Sequence, residues 1–245
     1  MSISLWICPL QLQARVLDLN FESFASYLKA HYLPALPGTD PFADSSGSGV
    51  SWNGRHSHLM GYEFGFLWNG SRLNWKLGVE ILQAPEQKGI QGLSSSGVPL
   101  FTMNSAVSGL ILKTGFEGHL HRSKQSRVSI IAEGGSAQIN LQNTYFFSSA
   151  GASLFSLSDF REEIAGTSIF LAGGLLYETH LNDTTTVFVE TAYRSLKFLS
   201  FLHRAAITGF QGSVAKGDVA LTNSGITRFL DLSSVGYSVG LRFYL

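Results

Sequence analysis

Between residues 60 and 82 every second side chain is apolar. Met60, Tyr62, Phe64, Phe66 and Trp68 share one face, which continues past Asn69-Gly70 as Leu73, Trp75, Leu77, Val79 and Ile81. The opposite face holds Gly61, Glu63, Gly65 and Leu67, then Arg72, Asn74, Lys76, Gly78 and Glu80. A period of two over this length predicts two half-buried strands. Asn-Gly between alternating runs predicts a two-residue type I′ hairpin, whose central residues both need positive φ. That turn sets Trp68 opposite Ser71, Phe66 opposite Leu73, Phe64 opposite Trp75 and Glu63 opposite Lys76.

The same alternation recurs over 104–117, 126–136, 167–181, 185–198 and the last twelve residues, and less cleanly over 10–21 (Leu12, Ala14, Val16). Eight strands result. Short connections at 69–70, 118–125 and 182–184 alternate with long ones at 22–58, 83–103, 141–165 and 201–227. Long loops then gather at one end of the sheet and short turns at the other. Phe21, Phe24, Leu28 and Tyr32 stand at helical spacing and predict a short helix in the first long loop. If part of 141–165 also pairs, the strand count becomes ten.

The apolar face could line a soluble barrel, as in a lipocalin, or cover a membrane barrel. Three features favour the second. The polar face is rich in glycine (Gly61, Gly65, Gly78, Gly109, Gly115, Gly174, Gly236, Gly240) where a solvated face would carry many charges. A narrow lumen needs such small residues. Trp68, Trp75, Phe116, Tyr177 and Phe243, from five strands, fall near the short-turn end, as a membrane-interface belt would. The chain ends in SVGLRFYL, and Ser238, Gly240, Phe243 and Leu245 resemble the C-terminal assembly signal of outer-membrane barrels, with Leu where Phe is commoner. On these residues the chain resembles the small outer-membrane β-barrels of the OmpA, OmpX and OmpW type. The resemblance covers residues 10–245. It implies an all-β fold, an eight-stranded antiparallel up-and-down transmembrane β-barrel, in the bacterial outer membrane. It also implies the lipid bilayer, lipopolysaccharide and the outer-membrane assembly machinery as partners. Residues 1–9 are read as an extension or a signal remnant.

Composition agrees. Charged residues make up 14% of the 245 positions, against roughly 25% in ordinary soluble domains, and the formal net charge is zero. No basic cluster offers a footprint for nucleic acid. Cys8 is the only cysteine, so no internal disulfide forms. No nucleotide loop or zinc motif is present, and no cofactor is expected.

Candidate chemistry falls in three groups. Glu63, Lys76, Glu80, Lys113, Glu133, Glu178, Glu190 and Arg194 are expected to point into the lumen and to pair there, since an isolated buried charge costs several kcal/mol. Their pairing would plug the barrel; rearranged, it would gate a narrow channel. His56 with His58, and His119 with His121, have the spacing of strand-borne metal ligands, but neither pair shows a third ligand, so no metal is assigned. His31 and His203 could meet the first pair among the long loops. A lipid A-modifying hydrolase or acyltransferase would need a Ser and a His on one face near the loop end. Ser57 and His58 are adjacent and point apart, while His121 and Ser123 have the spacing at the short-turn end. The leading expectation is therefore a non-enzymatic, structural or porin-like barrel whose four long loops meet surfaces, lipopolysaccharide or small hydrophobic solutes.

Overall fold

The structure, a computed structural model, describes residues 17–19, 22–34, 51–52, 58–222 and 225–245. Eight strands dominate it: β1 (Phe24–Pro34), β2 (His58–Trp68), β3 (Leu73–Leu93), β4 (Pro99–Arg122), β5 (Ser126–Phe147), β6 (Phe160–His180), β7 (Thr185–Phe198) and β8 (Ser234–Tyr244). Each pairs antiparallel with the next. β8 returns to β1 through a register running from Ala25↔Tyr244 to Tyr32↔Tyr237, so the sheet closes on itself. Closure gives every strand two partners, which hydrocarbon demands of any backbone that crosses it.

The apolar face points out. Leu73, Trp75, Leu77, Val79 and Ile81 of β3 are all exposed, while Asn74, Lys76 and Glu80 between them are buried. Neighbouring strands do the same with Phe64 and Tyr62, Leu110 and Leu112, Leu171 and Leu175, and Val189 and Val239. A continuous exposed band of this size has no aqueous explanation. Nine residues of β3, 73–81, cover roughly 26 Å of strand, the length a tilted strand needs to cross a bilayer. The molecule is a transmembrane barrel.

The pattern then inverts. Beyond Ile81 the outward residues of β3 are Gln83, Glu86 and Lys88, and the inward ones include Leu82 and Ile90. On β5 the outward Ile130 and Ala132 give way to Ser136, Gln138 and Asn140, while Ala137, Ile139 and Leu141 turn inside. The lipid boundary is thus written in the phase of the alternation. β3 to β6 run 21 to 24 residues, roughly 70–80 Å along the strand, whereas β1, β2 and β8 have 11 and β7 has 14. One side of the barrel therefore rises well above the membrane as a four-stranded wall. Helix α1 (Ser149–Phe155) caps it, with the Ser148 side chain accepting from the Gly151 N–H. Residues 199–222 and 225–233 fold against its inner side, where Leu202 and His203 pair with Ala165 and Ile164 of β6.

Several expectations change here. The first barrel strand is 24–34, not 10–21, most of which lies outside the described residues. The helix expected over 21–32 is this strand. Phe24, Leu28 and Tyr32 are four apart, an even number, so they also share one strand face; Lys29 and His31 between them are buried in ion pairs and break the hydrophobic signal. Loops 83–103 and 141–165 are mostly strand, leaving only 94–98 and 148–159 as connections, so among the described residues no ninth or tenth barrel strand arises. Loop 22–58 contains β1, and most of 35–57 lies outside the described residues.

The β2–β3 hairpin also shifts. Trp68 faces Trp75, Phe66 faces Leu77, Phe64 faces Val79 and Glu63 faces Glu80. Positive φ occurs at Ser156, Gly89, Gly97, Gly212, Gly217 and Gly225 among the described residues, so Asn69 and Gly70 form no type I′ turn. Tertiary bonds claim the connection instead. Asn69 N–H donates to Ser23 O at 2.8 Å, Gly70 N–H to Asn74 Oδ1 at 3.3 Å, and Arg122 Nη1 to the carbonyls of Gly70 and Ser71, each at 3.1 Å. The slip totals four residues, an even number, so both faces keep their character.

The belt predicts a position-dependent cost. Leu77→Arg, facing hydrocarbon, is expected to lose about 2–4 kcal/mol in urea unfolding from liposomes. Gln138→Arg, above the boundary, is expected to stay within about 0.5 kcal/mol.

Candidate functional site

At membrane level, among the described residues, the strands turn six cations and six carboxylates into the lumen: Lys29, Lys76, Lys113, Arg127, Arg194 and Arg242 against Glu63, Glu80, Glu117, Glu133, Glu178 and Glu190. All twelve are buried, and the signs cancel. Desolvated charges of one sign would cost several kcal/mol each, so balance is what lets this interior exist.

The groups lie in tiers. Nearest the short turns, Glu178 accepts from Arg127 Nε at 2.6 Å, Arg242 Nη1 at 2.5 Å and the Tyr244 hydroxyl at 2.7 Å. Arg242 Nη2 donates to Glu117, which also accepts from Asn74 Nδ2 at 3.1 Å. Above them Lys29 Nζ donates to both oxygens of Glu190 at 3.1 Å, and Lys76 pairs with Glu133. Higher still, Lys113 Nζ lies 2.7 Å from Oε2 of both Glu63 and Glu80. Those two carboxylates face each other across β2 and β3, a repulsive pairing that the ammonium between them turns attractive. Arg194 Nη1 sits 2.9 Å from Glu80 Oε1, with its guanidinium 4.9 Å from the Phe170 ring centre. Glycine makes room for these groups. A Cβ on Gly78 would lie 2.6 Å from the Tyr27 hydroxyl and 2.7 Å from Glu63 Oε1, and Tyr27 donates to that same Oε1 at 2.6 Å.

His31, Glu63 and Glu80 converge closely enough to suggest a metal site. The donors are engaged, however. His31 Nε2 lies 2.8 Å from Glu63 Oε2, its Nδ1 lies 2.8 Å from Ser238 Oγ, and Lys113 already supplies the positive charge both carboxylates need. The residues fit a protein cation better than a metal ion.

Above the charges the lumen becomes apolar. Leu82, Val107, Ile111, Ile139, Leu141, Phe170, Leu196 and Phe198 pack together, all at most 5% exposed. Higher up, Phe101, Tyr145, Phe147, Phe155, Phe160 and Phe210 form an aromatic cluster with ring centres 4.6–6.2 Å apart. A small recess of about 10 Å³ beside His31, Lys113, Glu133, Glu190 and Arg194 has room for no more than about one water.

All eight charged residues singled out from the sequence sit in this lumen. Glu63 pairs with Lys113 and Lys29, not with the expected Lys76. Lys29 and His31 were missed because their segment read as helix; Glu117, Arg127 and Arg242 shared the inward parity and could have been included on that ground. Trp68, Trp75 and Phe116 stand side by side on adjacent strands, and Tyr177 and Phe243 are likewise exposed. Ser238 faces the lumen against His31, whereas Phe243 and Leu245 are exposed.

The histidine pairs do not converge. A register shift separates His119 from His121: His119 points inward to Asn74 and Ser129, and His121 is exposed. His56 and Ser57 lie outside the described residues, and the His58 ring lies tilted against Tyr32, centres 5.7 Å apart. His31 is in the lumen and not among the loops. Ser123 hydrogen-bonds within its own turn, so no His121–Ser123 pair forms. His203 is 3% exposed, beside the Glu162–Arg228 ion pair, and neither ring nitrogen has a hydrogen-bond partner. Burial, reinforced by the Arg228 charge and opposed by Glu162 and Asp218, lowers its pKa below 6.5.

No family model matches this chain, and no curated protein matches it. Solved structures of similar shape include Ail, the attachment invasion locus protein of Yersinia pestis (10% identity over 91% of this chain and 99% of that one, TM-score 0.43). The outer membrane protein OprG from Pseudomonas aeruginosa gives 13% identity over 94% and 99%, TM-score 0.44. A major outer membrane protein from Thermus thermophilus gives 12% over 90% and 99%, TM-score 0.42. The chain has the architecture of a small bacterial outer-membrane barrel, a closed ring of eight strands with an apolar exterior and a polar interior.

Two outcomes follow. Lys113→Met leaves Glu63 and Glu80 facing each other without their shared cation, and is expected to cost about 3–5 kcal/mol in equilibrium unfolding. Adding Glu80→Gln is expected to recover part of that loss, a non-additivity a double-mutant cycle detects. For His203 the unfolded chain takes a proton near 6.5 that the folded protein refuses. Its stability contribution is therefore present above pH 6.5 and falls as pH drops below it. A His203→Phe variant is expected to lose that portion of the acid dependence in pH-resolved unfolding.

Proposed function

We propose that this protein is a sealed, non-enzymatic anchor in the outer membrane that presents the wall of β3–β6 at the cell surface. The observation that carries the reading is the interior. Charge-balanced tiers fill the membrane-level lumen, and a tightly packed apolar core sits above them. A solute would have to break several desolvated ion pairs and then cross hydrocarbon-like packing, each step costing more than thermal energy supplies.

The wall supports a contact role. Its outer face just above the belt carries Ser108, Ser136, Gln138, Asn140 and Thr167, exposed hydrogen-bonding side chains without charge. That face stands at the height of the glycolipid headgroups around the barrel, so lipopolysaccharide is the partner it meets first. Leu199, Leu202, Val219, Ile226 and Phe229 add exposed apolar side chains to the upper surface, a site for an external partner. The C-terminal Ser238, Gly240, Phe243 and Leu245 serve, on this reading, as the signal to the assembly machinery.

Planar-bilayer recording on the refolded protein tests the seal. The wild type is expected to give no unitary current steps, whereas Lys76→Glu, which places like charges on Lys76's partner Glu133, is expected to give unstable leak. Regular steps from the wild type would replace the anchor with a narrow ion-paired channel.

A further inference from the structure

We infer that the lipid-facing wall over β1 and β2 holds a single acyl chain in a built groove, as a bound lipid distinct from the exchanging annulus. The barrel exterior is indented here, with a cavity of about 620 Å³ lined by Leu28, Ala30, Tyr62, Phe64, Ile81 and Val239 among others. The register explains it. One row across the strands reads Val239–Ala30–Tyr62–Ile81, and the next reads Leu241–Leu28–Phe64–Val79. Ala30 is the small residue in a neighbourhood of large ones. Its methyl forms a floor, Tyr62 and Phe64 rise as one wall, and Val239 and Leu241 rise as the other.

Lys29 and Glu63 border the groove only through their backbones. Their charged ends turn inward to the ion-pair tiers, so nothing polar projects into the space. Its level fixes the occupant. The two rows lie between the Phe24–Trp68–Trp75 row at the short-turn side and the Tyr32–Met60 row near the upper boundary. That is the interior of the belt, where only hydrocarbon is available to fill a void. The walls on β8 and β2 stand two strand spacings apart, roughly 10 Å, which leaves width over Ala30 for one extended alkyl segment. The surrounding surface is continuous with the bilayer contact already described, so the chain comes from a membrane lipid.

Photolabelling tests this directly. The barrel is reconstituted into phosphatidylethanolamine vesicles doped with phosphatidylethanolamine carrying a mid-chain diazirine, irradiated and digested. Label is expected several-fold enriched on peptides containing Tyr62, Phe64 and Ala30 over those containing Leu171 and Leu175 of β6. Ala30→Trp, which fills the floor, is expected to abolish the enrichment, and Leu175→Trp to leave it intact. Even labelling around the wild-type barrel would overturn the proposal, as would enrichment that survives in Ala30→Trp. Label excluded from these peptides at high protein-to-lipid ratio and regained on dilution with lipid would assign the groove to a second copy of the chain and also overturn it. The wild-type distribution decides the matter alone should Ala30→Trp fail to fold. A conducting lumen would leave this result untouched, because the groove lies outside the barrel.

Discussion

Twelve charged side chains are buried together inside the barrel at membrane level, and their signs cancel. This constraint organises the rest. A barrel in hydrocarbon must turn its apolar side chains out, which forces whatever is polar into a lumen too narrow to hydrate it. Lys113 between Glu63 and Glu80, and Glu178 between Arg127 and Arg242, show the solution: each charge touches at least one opposite, and several touch two. Glycines at 65 and 78 leave the space in which Tyr27 reaches Glu63. On the reading proposed above, neutralised pairs of this kind close the aqueous path a pore requires.

The second organising feature is the reversal of alternation near Ile81 and Gln83. Below it the barrel is a membrane object with a polar inside. Above it the same strands become a water-soluble one, polar outside and apolar inside. No linker is needed between anchor and surface domain, because β3 to β6 belong to both. Their extra length makes the rim lopsided, and α1 with residues 199–222 completes a small core around Phe101, Tyr145 and Phe210. Strand pairing is continuous from the lumen to the upper wall.

Much of this was legible in the sequence, because a period of two survives translation along a strand. The opening hairpin, the outward belt and the inward parity of Glu63, Lys76 and Glu133 all follow from it. What failed were the features that parity does not fix. The register of β2 against β3 moved by four residues since tertiary bonds to Asn69, Gly70 and Arg122 outweighed an intrinsic turn preference. β1 was hidden because a spacing of four satisfies helix and strand alike. The upper halves of β3 to β6 read as loops since the hydrophobic face changed sides there, and a search for one constant apolar face loses the strand at that point. The groove over Ala30 needed the register of four strands and could not have been read from any one of them.

The account rests on where lipid stops. A nitroxide scan along β3 in reconstituted bilayers measures that directly, using oxygen as the apolar and a nickel complex as the aqueous collision partner. Labels at Leu77, Val79 and Ile81 are predicted to collide mainly with oxygen, and labels at Gln83 and Glu86 mainly with nickel. Nickel access at Leu77 and Val79 equal to that at Glu86 would contradict the membrane belt, and with it the placement of the charges inside.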